Sequence, residues 1–103
     1  MSGSRSLAEY VADQLAPLGA VTVHRYFGGW AVRSQGRQFA MVMDTLYFRV
    51  DDAARSSYEE AGSVPFSYRA PGREVVVRTY YSVPAEAIDD RSELCARARA
   101  ALA

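Results

Sequence analysis

The chain has 103 residues, 50% of them hydrophobic, with 12 basic and 12 acidic side chains and a formal net charge of zero. That suffices for one domain with one core and excludes two, and the charge balance speaks against a dominant nucleic-acid-binding surface, because such domains are strongly basic. All the basic residues are arginine and none is lysine, which excludes Schiff-base chemistry and a lysine-bearing phosphate loop.

Residues 1–5 are read as a short disordered arm and 6–103 as the single domain. Ser6-Leu7-Ala8-Glu9 has capping-box spacing, with Ser6 as N-cap. Leu7, Tyr10, Val11, Leu15 and Leu18 then follow at helical spacing, and Pro17 and Gly19 end the helix. From Val21 the period changes to that of a strand, which runs through Tyr26-Phe27 into Gly28-Gly29. Trp30 to Arg33 resumes as strand, and Ser34-Gln35-Gly36 is a turn. Arg37 to Met43 is the next strand, with Phe39, Met41 and Met43 expected on one face. After Asp44-Thr45, Leu46, Phe48 and Val50 alternate with Tyr47 and Arg49. The short connections require antiparallel pairing.

Asp51 caps a second helix, with Ala54, Tyr58 and Ala61 as its inner stripe and Gly62 past its end. Phe66 to Arg69 and Glu74 to Tyr81 are strands around a Pro71-Gly72 turn. Pro84 opens one helical turn ending at Ile88. Asp90 then caps a terminal helix with Leu94, Ala98 and Leu102 on one face and Cys95 beside them. The expected architecture is α+β, with an antiparallel sheet and helices packed mainly on one face.

Few residues here can perform chemistry. Structural zinc needs four nitrogen or sulfur ligands, and the chain offers one histidine, His24, and one cysteine, Cys95. The acidic pairs Asp51-Asp52 and Asp89-Asp90 are explained as helix starts. There is no nucleophile elbow, and Cys95 lies by a core stripe, where a thiol behaves as a small hydrophobe. No catalytic residue, metal or cofactor is therefore expected. With no apolar stretch of membrane-spanning length, no signal-peptide core and a lone cysteine, the expected location is cytoplasmic.

The richest segment is His24-Arg25-Tyr26-Phe27-Gly28-Gly29-Trp30. Its glycines stand between strands rather than before a helix, so they read as a bend or bulge, not a phosphate cradle. Phe27 and one face of each strand must supply the core, and Tyr80-Tyr81 points one ring inward and one outward. The candidate interaction surface comprises His24, Arg25, Tyr26, Gly28, Gly29, Trp30, Arg78 and Tyr80. Two other readings stand beside it. One is a small-ligand or enzymatic groove near Gly28-Gly29 using His24, Arg25 and Arg78; the other is a protein that dimerises through an edge strand or the aromatic sheet face.

Tyr26-Phe27-Gly28-Gly29-Trp30-Ala31-Val32 resembles the strand-turn signature of the TfoX/Sxy N-terminal domain family. The resemblance continues through Gly36-Arg37-Gln38-Phe39-Ala40, Leu46 to Asp51, Ala61 to Tyr68, Tyr80 to Pro84, and Asp89-Asp90 with its helix. It implies an α-β(3)-α-β(2)-α fold, which matches the element order if the segments around Gly28-Gly29 count as one bent strand. Full-length members resembling this chain regulate natural competence together with the cyclic-AMP receptor protein and carry a second, helical C-terminal domain. The chain is expected to be a stand-alone N-terminal domain without that second part. The resemblance implies no catalytic residues. It implies a protein partner, with transcription machinery the first candidate, and direct nucleic-acid binding is not expected.

Overall fold

The computed structural model describes residues 4–103. The first helix, α1 (Arg5–Gln14), starts earlier than expected, because Ser4 and not Ser6 is its N-cap and accepts from the Leu7 N–H at 3.1 Å. Glu9 does not reach back to close a capping box; its carboxylate takes the Arg5 guanidinium at 3.1 Å. Residues 1–3 of the expected arm lie outside the described residues, and Arg5 is already helical. A 3-10 turn over Ala16–Leu18 follows α1.

Six strands form one antiparallel sheet in the order β1-β2-β3-β4-β6-β5. They are β1 (Val21–Tyr26), β2 (Gly29–Ser34), β3 (Arg37–Val42), β4 (Leu46–Arg49), β5 (Pro65–Ala70) and β6 (Arg73–Ser82). The helix α2 (Asp52–Glu60) lies between β4 and β5, and α3 (Ala85–Ile88) and α4 (Arg91–Leu102) follow β6. The class is α+β, with the helices packed on one face. The segments around Gly28 are not one bent strand. Their residues pair with each other from Val21↔Ser34 to Tyr26↔Gly29, so four strands precede α2.

Several local signals work as read. Asp51 accepts from Ala54 N–H and Asp90 from Glu93 N–H, each capping its helix. Gly62 has φ +85°, the left-handed conformation that follows a helix end and that glycine adopts without strain. Ala61, by contrast, caps the end of α2 and is exposed, so the inner stripe of α2 reduces to Tyr58 with Ala54.

The core lies between the sheet and the helices. Val11 and Leu15 from the α1 end and Leu94 and Ala98 from α4 meet Val32, Phe48 and Tyr81 from the sheet, all with no exposed surface. Tyr10 is not part of it. Its side chain is 41% exposed, and its hydroxyl donates to Asp89 at 2.9 Å. Beside it, buried Gln14 donates to the Ile88 carbonyl at 3.1 Å and accepts from Arg91, tying α1 to the C-terminal helices. Because this polar side chain finds its partners, burying it leaves nothing unsatisfied.

Phe39 also departs from expectation. Val32 pairs with Ala40 but Arg33 with Gln38, so β3 carries an extra residue at that point. The bulge breaks the two-residue alternation. It turns Phe39 to the helix side with Ala40 and Val42, while Met41 and Met43 stay on the opposite face.

The phenols make alkaline pH destabilising. Burial lifts the Tyr47, Tyr58 and Tyr80 phenols above the ordinary value of 10.0, and hydrogen bonds to Asp89 and Glu59 lift those of Tyr10 and Tyr81. A group whose folded pKa is raised contributes stability that is complete below its unfolded pKa and is lost as pH rises through the folded value. The urea midpoint will therefore show no tyrosine-linked loss up to about pH 9 and will fall steadily above about pH 10. A midpoint that holds or rises between about pH 10 and 11 would contradict the burial and hydrogen bonding of these phenols.

Candidate functional site

β1 and β2 are joined by a two-residue hairpin turn, Phe27-Gly28, in which both residues have positive φ (46° and 79°). Such turns select Asn-Gly or Asp-Gly, because a bulky side chain is strained there. Phe27 occupies the strained position and is nonetheless 87% exposed. It contributes nothing to the core, contrary to the sequence expectation, because it sits in the turn and not in the strand. Its ring meets that of Tyr26 edge-on, with centroids 4.8 Å apart.

Phe27 stands at the mouth of a groove of about 440 Å³ on the sheet face away from the helices. Met41 and Met43 line its centre, with Tyr26 and Phe27 beside them. Phe66 and Tyr68 from β5 and Val77 and Tyr80 from β6 complete the lining. Tyr47 packs beneath, its ring edge-on to Phe66 at 5.1 Å and its hydroxyl donating to Asp44 at 2.8 Å. Gly29 shapes the middle of this face. A Cβ there would overlap the Val42 carbonyl oxygen and the Met43 sulfur, so only glycine lets β2 and the methionine side chain approach so closely. Methionine is flexible and polarizable and adapts to irregular apolar surfaces.

The residues expected to form one surface divide between two. Tyr26 and Tyr80 line the groove, and Gly29 underlies it. His24 pairs with Ala31 at the β1 edge, its ring nitrogen 2.9 Å from the Thr22 hydroxyl. Arg25 and Trp30 belong to the helix side. Trp30 packs on the main core, with the Arg25 guanidinium 5.3 Å and that of Arg5 5.6 Å from its ring. Arg78 lies close enough to the Tyr81 phenol to lower its pKa, against the stronger effect of Glu59. Gly28 faces open space. The set His24, Arg25 and Arg78 thus does not converge on a ligand groove at Gly28-Gly29. Sequence reasoning misses Met41, Met43, Phe66, Tyr68 and Val77. The alternation of Met41 and Met43 identifies one strand face, but not that helices leave this face open.

A larger cavity, of about 520 Å³, lies between α2 and α4. Of its charged groups, Arg97 stacks 4.7 Å above the Tyr58 ring and donates to Glu93 at 3.1 Å, Asp51 caps α2, and Arg49 forms no ion pair among the described residues. Elsewhere, the buried Cys95 thiol donates to the Gln14 carbonyl at 3.5 Å. No group of three or more His, Cys, Asp or Glu among the described residues could hold a metal ion. No helix among them is long and apolar enough to cross a membrane.

Comparison with known families settles the kinship. The family model for the TfoX N-terminal domain matches residues 13–103. The chain belongs to the TfoX N-terminal domain family. No curated protein matches it. The family match begins within α1 and runs through all six strands to the end of α4, so it takes in the hairpin turn and every residue lining the groove.

Proposed function

We propose that this chain is a non-catalytic protein-interaction module of the TfoX N-terminal type, acting in transcriptional regulation, and that the helix-free sheet face makes the contact. The observation that carries this reading is Phe27. A non-glycine residue at positive φ costs of order 1 kcal/mol, and here the aromatic side chain recovers none of that cost in the core. Strain of this kind, placed beside an open apolar groove, fits a contact residue better than a structural one.

Phe27→Asn tests it. Asparagine tolerates this conformation, so the melting temperature should hold or rise. Capture from the native cell should retain a transcription component on the unaltered chain and lose it on the variant. Capture that recovers no such component, or that is identical on both, counts against the reading. A second reading, self-association, rests on β1, whose outer edge pairs with no other strand of the sheet. Sedimentation at high concentration showing only monomer would remove it.

A further inference from the structure

Two arginines that form no ion pair among the described residues, Arg33 and Arg49, lie on the sheet face that carries the groove, which also holds the Asp44 carboxylate hydrogen-bonded to Tyr47. Val23 and Val32 pack into the helix-side core, so the alternating residues Thr22, His24 and Arg33 fall on the groove face. Arg49 stands at a boundary: its strand position places it with Tyr80 on this face, and it also lines the larger cavity between α2 and α4. It pairs across strands with Tyr80, and its charge draws down the pKa of the Tyr80 phenol, which burial otherwise pushes up. Arg33 and Arg49 are both half-buried. Neither takes part in the ion pairs formed among the described residues, which join Arg5 to Glu9, Arg55 to Asp52, Arg91 to Asp13 and Arg97 to Glu93. The nearby carboxylates are engaged or face away. Asp44 accepts from the Tyr47 hydroxyl, and Glu74 accepts from Ser67, which alternates with the groove-lining Phe66 and Tyr68 and so faces the other side. A half-buried guanidinium has lost part of its hydration without gaining an anion, and it binds a carboxylate through charge-assisted hydrogen bonds.

Building on the protein-interaction reading above, we propose that the groove takes an extended segment of a partner protein in which bulky apolar side chains alternate with acidic ones. The apolar side chains enter between Met43, Phe66 and Tyr80, and a carboxylate meets Arg49, with Arg33 and His24 further along the same face. The shape of the groove favours a peptide over single-stranded nucleic acid. Bases stack on flat, accessible rings. Here Tyr47 and Phe66 stand at 75° to each other, and Tyr26 and Phe27 at 77°; only Phe66 and Tyr68 come near parallel, at 29°, so most of the rings wall a slot.

The test uses three fluorescent probes on the intact chain: a short peptide alternating leucine and aspartate, the same peptide with asparagine for aspartate, and oligothymidylate. The aspartate peptide should bind about tenfold tighter than the asparagine peptide, the effect of one charge-assisted hydrogen bond, and added salt should erase the difference. Arg49→Gln should bring the two peptide affinities to within about twofold of each other, and Arg49→Lys should keep part of the preference. An unaltered thermal melt shows that each variant is folded. Equal binding of both peptides, with shifts at the Met41 and Met43 methyl groups, overturns the acidic preference and leaves the interaction reading standing. Binding of oligothymidylate alone overturns both. If no probe binds, the proposed occupant is wrong, while capture of a transcription component lost in Phe27→Asn would still support the interaction module.

Discussion

Gly29→Val is expected to cost more than about 3 kcal/mol, at or beyond the upper end of the range for overpacking, and to leave little of a typical total of about 5–15 kcal/mol. The reason is not backbone conformation, since Gly29 lacks the positive φ of its neighbour. It is contact: the added Cβ would overlap the Val42 carbonyl oxygen and the Met43 sulfur. The sulfur can swing aside. The carbonyl belongs to the strand paired with β2 at Trp30↔Val42 and cannot move without loosening that pairing. Gly28 is the opposite case, with φ +79° and nothing within 4 Å of the place a Cβ would take. Gly28→Ala should therefore cost only about 1–2 kcal/mol of backbone strain. Urea titrations at constant m-value will rank Gly29→Ala below Gly28→Ala in stability; the reverse order would show that φ, and not the close approach, governs this segment.

Phe39→Ala is expected to destabilise by about 3–5 kcal/mol, the cost of emptying a fully buried aromatic site. Phe39 has no exposed surface and lies 5.8 Å, centroid to centroid, from Phe48. Phe27→Ala, in contrast, should stay within about 0.5 kcal/mol of the unaltered chain, as surface substitutions do. Sequence pattern alone puts Phe27 in the core and Phe39 on the face of Met41 and Met43. Thermal or chemical denaturation of the two variants decides the matter, and similar losses would contradict the bulge at Phe39 and the exposure of Phe27 together.

What is legible in the sequence is local. Asp51, Asp90 and Gly62 announce helix ends because a cap needs only its own turn of chain. The alternation of Leu46, Phe48 and Val50 places a strand face because that strand has no inserted residue. Alternation misplaces Phe39 because one extra residue reverses parity, and the cause lies in the pairing with β2 rather than in β3 itself. Ser4 and Ser6 both precede the same helical stripe, and the spacing to Glu9 favours the wrong one. The groove is hidden for a different reason. Strand periodicity separates two faces without saying which one the helices cover, and here Met41, Met43 and Tyr47 make the uncovered face apolar as well. Arg25 and Trp30 look like neighbours of Tyr26 in function because they are close to it in sequence, yet strand alternation sends them to the opposite side.

The strand order has a consequence for how the molecule assembles. β1 to β4 form a meander of consecutive hairpins, and β5 and β6 form another hairpin; only the β4–β6 ladder joins segments separated by a helix and a strand. Local hairpins close at small entropic cost, whereas the β4–β6 union must close a long loop before its contacts compensate. The groove straddles that union, with Met41 and Met43 on one side and Phe66, Val77 and Tyr80 on the other. It exists only after the two halves have met. A partner bound in the groove, as proposed, would act as a clasp across this seam, and its expected effect is mainly to slow unfolding.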